Sequence, residues 1–135
     1  RTGSLLFIDL DHFSATKETL GHFKADTLLG MIGERLLNAV RRDEDTIGRH
    51  GGDEFVGLLP HTPVETAMIV AQRISDSIAA ITDVEGIPIS QTASIGVAAH
   101  NGELDYKTAL EQADSAMYIA KAQGRNQVVL LPQQQ

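Results

Sequence analysis

The stretch Arg49-His50-Gly51-Gly52-Asp53-Glu54-Phe55 lies between two strand-like runs, Thr46-Ile47-Gly48-Arg49-His50 and Glu54-Phe55-Val56-Gly57-Leu58-Leu59. Two glycines between such runs read as a tight hairpin, because both central residues can take positive φ. The turn is followed by two adjacent acids, Asp53 and Glu54. Neighbouring carboxylates on a strand repel unless a cation lies between them, so the pair points to a metal site. Taken alone, the pair is equally readable as a solvated acidic turn. A second acidic cluster, Asp9-Leu10-Asp11, favours the metal.

Working outward, the 135 residues fit one domain with room for a substantial core, and the apolar fraction of 42% is that of a globular chain. Aromatics make up 4% with no Trp, which argues against base-stacking platforms for single-stranded nucleic acid. The net charge of -7 argues against broad contact with a DNA or RNA backbone. Without Cys there are no disulfides and no thiolate metal sites, and the five His are scattered. The apolar run Leu5-Leu6-Phe7-Ile8 is too short for a membrane span or signal segment, so no membrane contact by this domain is expected. The start at Arg1 and the end in Pro132-Gln133-Gln134-Gln135 suggest a domain excised from a longer protein, with 132–135 opening a linker.

Residues 4–9 read as a buried central strand delivering Asp9 at its carboxyl end. Phe13 and Leu20 space a short helix up to Gly21. A second helix follows from about Phe23 to Arg41, with Ala25, Leu28, Leu29, Ile32, Leu36 and Val40 facing inward. After the hairpin of 46–60, Thr62-Pro63-Val64-Glu65 reads as a capping box that opens a helix to about Ala80. A Gly/Pro-punctuated connection then leads to a strand where Ala93, Ile95 and Val97 alternate with Thr92 and Ser94, implying one buried face. Asn101-Gly102 reads as a turn. A helix over 105–123 puts Tyr106, Leu110, Ala113, Met117 and Ala120 on one stripe and stops at Gly124. Val128–Leu131 is the last strand. The expected fold is α/β: a βαββαβ core with a mainly antiparallel sheet covered by helices.

With the first strand central, the two acidic clusters can meet. Oxygen ligands alone suit Mg²⁺ or Mn²⁺, and such a pair supports in-line displacement at phosphorus. No Gly-x-x-x-x-Gly-Lys-Ser/Thr loop is present, so this is not a P-loop nucleotidase.

Ile8-Asp9-Leu10-Asp11-His12-Phe13, Gly21-His22, Asp26, the stretch 49–55, Ala93-Ser94-Ile95-Gly96-Val97-Ala98, Ala113-Asp114 and Ala120-Lys121-Ala122-Gln123-Gly124-Arg125-Asn126 together carry a resemblance: the chain is similar to the GGDEF domain of bacterial diguanylate cyclases. The resemblance implies a fold of the nucleotidyl-cyclase and polymerase-palm kind. It implies a cytoplasmic enzyme, free or as the cytoplasmic part of a membrane-bound protein, that condenses two GTP into cyclic di-GMP and releases pyrophosphate. Each subunit of a homodimer would hold one GTP. It implies metal ligation by Asp9, the Leu10 carbonyl and Asp53. Glu54 would be either a further ligand or the base for the 3′-hydroxyl. A carboxylate on Mg²⁺ is a poor base, which favours the metal as the activating agent. Backbone N–H groups near His12 and Phe13 would cradle phosphate. Lys121 and Arg125, placed by their i, i+4 spacing on one helical face, would reach the terminal phosphates. Asp26 would accept from guanine N1–H and the 2-amino group, with Leu29 beside the base. Arg42-Asp43-Glu44-Asp45 matches the family's product-inhibition pattern, where Arg42 and Asp45 clamp cyclic di-GMP and Arg73 is a secondary contact.

Three positions depart from the family pattern. Ser14 stands where Lys is usual and Ala25 where Gly is usual. Lys17 stands where an Asn contacts guanine. Lys only donates, and it can pair with Asp26 instead of the base. Two functions therefore stand side by side: a cyclase with weakened guanine contacts, and a non-catalytic domain that binds GTP or cyclic di-GMP and regulates an attached phosphodiesterase or other output domain.

Overall fold

The structure, a computed structural model, describes residues 2–101 and 106–131. The Gln-rich end at 132–135 lies outside them, and so does Gly102 of the expected turn. The elements are β1 Thr2–Leu10, α1 Phe13–Ala39, β2 Thr46–Arg49, β3 Glu54–Pro60, α2 Val64–Ala79, β4 Asp83–Val84, β5 Ile87–Pro88, β6 Ala93–Asn101, α3 Tyr106–Ala122 and β7 Gln127–Leu130. The main sheet has the order β2-β3-β1-β6-β7. All its pairings are antiparallel except β6 with β7. The expected α/β class and the central place of β1 hold. No helix among the described residues is long and apolar enough to cross a membrane.

The helices lie on both faces. Leu6, Ile8 and Leu10 of β1 point into a core with α1 and α2, through Leu28, Ile32, Leu36, Ala71, Ile74 and Ile78. Leu5 and Phe7, the alternate residues of β1, pack with Ala98, Ala109, Ala113 and Met117 under α3. β6 is accordingly buried on both faces, not one. Ser94 and Ala98 are as enclosed as Ile95 and Val97. The α3 side of β6 is lined by small residues, which carry little hydropathic signal but let the helix approach closely. At Gly96 an added Cβ would lie 2.1 Å from the Ala113 carbonyl oxygen.

The division expected between two helices before the hairpin holds: within α1 the chain leaves helical space at Gly21, with φ 80 and ψ 170. Other local expectations change in form. The capping box at 62–65 does not form. Pro63 occupies the cap position and accepts from the Ala67 N–H, with no side-chain cap bond, while the Thr62 hydroxyl turns back to the Pro60 carbonyl. The connection after α2 is itself a small hairpin, β4–β5, turned through Glu85 (φ 48) and Gly86 (φ 88). Tyr106 is 49% exposed, because the buried stripe of α3 runs through Ala109, Ala113, Ala116, Met117 and Ala120.

Candidate active site

The carboxyl end of β1 and the loop between β2 and β3 meet at one end of the sheet. Asp9 is paired in register with Glu54, and directly opposed residues of an antiparallel pair project to the same face. The Leu10 N–H donates to the Asp53 carbonyl (3.0 Å), which ties the loop to β1. The His50 N–H donates to the Glu54 carbonyl (2.8 Å). The Arg49 guanidinium donates to the Gly51 and Gly52 carbonyls at 3.3 and 2.8 Å. Neither Gly51 nor Gly52 adopts the positive φ expected of a two-residue turn. Four residues, 50–53, separate the strands, and that length relieves the turn of the left-handed requirement. What the glycines leave is space: no heavy atom lies within 4 Å of an added Cβ at Gly52.

Burial is the largest influence on Asp9 and pushes its carboxyl up to about 6. Lys121 opposes that shift, and the neighbouring Asp53 and Glu54 add to it. The Lys121 ammonium lies 3.5 Å from Asp9 Oδ1 and 3.7 Å from Asp11 Oδ1. In kind, this all-oxygen donor set of Asp9, Asp53, Glu54 and the Leu10 carbonyl fits a hard divalent cation. The described residues hold no ready-made group of three acidic or histidine ligands, so the carboxylates would have to close on the ion.

The raised Asp9 value has a consequence for stability. In the unfolded chain Asp9 loses its proton near 3.8, and in the folded domain near 6. As pH rises between these values the unfolded state ionises first, so stability falls across that window and stays lower above it. Discounted for partial exposure, the loss is about 1–2 kcal/mol. Asp9→Asn should therefore raise the melting temperature of the metal-free domain at pH 7.5, measured with a chelator present, and give a much smaller gain near pH 4. An equal gain at both values would show that the charge of Asp9 is not the cause.

Beside the acids is a cleft of about 190 Å³, lined among others by Phe13, Lys17, Ala25, Asp26, Leu29 and Asp53. The proposed base-reading residues are thus gathered next to Asp53. Asp26 is not paired with Lys17. Among the described residues the group within ion-pair range of it is His22, at 3.7 Å and one helical turn away. At the mouth, His12 holds a left-handed conformation (φ 52) that turns the chain from β1 into α1. Among the described residues no acceptor takes the backbone N–H of His12 or Phe13, which leaves both available for an anion.

Lys121 and Arg125 do not share a helical face. α3 ends at Ala122. The Arg125 N–H then closes the helix on the Ala120 carbonyl (2.9 Å), with Gly124, Arg125 and Asn126 all at positive φ. Arg125 therefore lies on a turn, and its Nε is buried without a partner among the described residues.

The residues expected to clamp product are separated. Asp45 is bound by Arg41, through its backbone N–H at 2.8 Å and its guanidinium at 2.8 and 3.3 Å. Arg41 also reaches Glu44, the Pro60 carbonyl and the Thr62 hydroxyl. Asp45 and Arg73 line one cavity of about 410 Å³. Arg42 turns instead toward Asn38 and Glu34. Sequence reasoning missed Arg41, although its i, i+4 spacing to Asp45 was a signal. It read Asp11 only as part of the acidic cluster and gave no role to Gln91; both have partners remote in sequence.

The family these features define is shown by comparison with known proteins. A family model described as "Diguanylate cyclase, GGDEF domain" matches residues 1–127, and the chain belongs to that family. Among curated proteins it is 41% identical over 126 residues to diguanylate cyclase DgcM of Escherichia coli K12, covering 93% of this chain and 30% of that protein. It is 38% identical over 131 residues to diguanylate cyclase A of Treponema denticola, covering 96% and 35%. The chain therefore spans about a third of these relatives. Among solved structures, the active GGEEF domain of a diguanylate cyclase from Vibrio cholerae superposes with a TM-score of 0.90 at 30% identity, covering 99% of this chain and 85% of that one.

Proposed function

We propose that this domain is a diguanylate cyclase that joins two GTP molecules into cyclic di-GMP with release of pyrophosphate, each copy of a homodimer presenting one GTP. The observation that carries this is the convergence of Asp9, the Leu10–Asp53 backbone link and Glu54 beside the cleft that holds Asp26. Asp9, Asp53, Glu54 and the Leu10 carbonyl would hold Mg²⁺ or Mn²⁺, which when bound neutralises phosphate charge and makes the 3′-hydroxyl more acidic. The free N–H groups of His12 and Phe13 receive phosphate oxygens, and Lys121 and Arg125 supply positive charge at the terminal phosphates. Asp26 accepts from guanine, with Leu29 against the base. Product would be held at the cavity of Asp45 and Arg73, with Arg42 swinging in from Asn38. A cytoplasmic location follows from the need for GTP.

The test is product formation by the chain at high concentration, or fused to a dimerising helix, with GTP and Mg²⁺ and chromatographic detection. Cyclic di-GMP supports the cyclase. GTP or cyclic di-GMP binding without product favours the second function, a domain that regulates an attached output domain. One observation supports that alternative: Lys17 lines the cleft where an acceptor for guanine is wanted. Lys17→Asn should tighten GTP binding about tenfold, the worth of one good base contact. An unchanged affinity by calorimetry would remove Lys17 from the base site.

A further inference from the structure

Asp11 is the most connected side chain near the site, and the proposed chemistry does not use it. It is 5% exposed. One carboxylate oxygen accepts from the Thr92 hydroxyl (2.7 Å) and the Asn126 N–H (3.0 Å). The other accepts from the Ser94 hydroxyl (2.7 Å) and faces the Lys121 ammonium at 3.7 Å. Its backbone is fixed as well: its N–H donates to the Thr92 carbonyl, and its carbonyl accepts from Gln91, whose own amide oxygen accepts from Thr16 of α1. Asp11 thus joins the ends of β1 and β6, the start of α1, the last turn of α3 and the turn that carries Arg125.

Lys121 lies between two carboxylates, touching neither at the 2.7–2.9 Å typical of a direct charged hydrogen bond. In the cyclase reading, on which this inference rests, Asp9 would be a ligand of the cation. Asp11 is then the counter-charge left to hold Lys121. The bond from Asn126 to Asp11 also pins the positive-φ turn on which Arg125 sits. We propose that Asp11 is a positioning residue for the triphosphate: through Lys121 and the Asn126 N–H it aims two cations at the terminal phosphates.

The experiment compares GTP and GMP binding, with Mg²⁺, to the wild-type chain and to Asp11→Asn. The amide can still accept from the Asn126 N–H and can donate to the Ser94 hydroxyl, so the variant chiefly removes the charge facing Lys121. Loss of such an outer partner costs about tenfold or more in affinity. GTP affinity should fall by that factor and GMP affinity by less than about twofold, because GMP lacks the terminal phosphates. Equal weakening of both ligands, or of neither, overturns the proposal and leaves Asp11 a structural residue. If Asp11→Asn does not fold, Ser94→Ala and Thr92→Val loosen the carboxylate without deleting it. Each should lower the preference for GTP over GMP, and an unchanged preference overturns the proposal. A wild-type chain that does not prefer GTP over GMP defeats the cyclase reading and this inference together, whereas a wild-type preference retained in the variants defeats this inference alone.

Discussion

Asp53→Ala is expected to abolish the proposed cyclic di-GMP formation while leaving the domain folded. The two effects separate because Asp53 contributes through different atoms. Its backbone carbonyl accepts from the Leu10 N–H and holds the loop on β1, and that bond survives truncation of the side chain. Its carboxylate crowds Asp9 and adds to the upward push on that group, so removing it does not cost stability through charge. What is lost is a ligand for the proposed cation and the stabilisation of charge developing at phosphorus. Removing one well-placed electrostatic contributor costs about 10²–10³-fold in rate, and a shared ligand should cost at least that. The check is chromatographic product yield beside a thermal melt. Product at the wild-type rate would take Asp53 out of the metal site. A collapsed melt would mean that the carboxylate shapes the loop, contrary to the bonds described.

The largest expected effect on stability is at Gly96. A methyl group there would lie 2.1 Å from the Ala113 carbonyl oxygen and 2.3 Å from the Met117 nitrogen. Both atoms are helix backbone and cannot swing aside as a side chain would. Gly96→Ala must therefore lift α3 from β6, opening the core of Leu5, Phe7, Ala98, Ala109, Ala113 and Met117. A cost of about 3–5 kcal/mol is expected, at the severe end for single substitutions. For a chain of this size that lowers the melting temperature by roughly 10–20 °C. Circular dichroism melts decide it, and a variant melting within two or three degrees of wild type would mean that α3 is not seated on β6 as described. Activity should fail with the fold, since Lys121 stands on α3.

The parts of this architecture that were legible in the sequence are those written locally. Leu5–Ile8 followed by Asp9 announces a central strand, and Gly51-Gly52 between two apolar runs announces a hairpin. The long stripe of 25–36 announces a helix. The less legible parts depend on groups distant in the chain or on residues with weak signals. Ser94, Gly96 and Ala98 look like a solvated face because small residues carry little hydropathy, yet they form the seat of an alanine-lined helix. Strands of two residues, such as β4 and β5, are too short to show alternation. The site acids were visible as two clusters, but the carboxylate that binds three elements together was visible only as the second acid of Asp9-Leu10-Asp11. The pairing of Asp45 with Arg41 instead of Arg42 turns on side-chain direction, which spacing alone leaves open.

The central position of β1 also bears on how the chain reaches this state. Within this domain β1 is made before its partners, which are 54–60 and 93–101, and the helix over its second face begins at Tyr106. Pairings so far apart in sequence form late and slowly. During synthesis the run Leu5–Ile8 waits exposed until most of the domain has left the ribosome, the interval in which unpaired apolar strands aggregate. Asp9 faces Glu54 only once β1 has docked on β3, and Lys121 arrives only with α3, so a nascent fragment that ends before β6 would have neither the full five-stranded sheet nor the completed site.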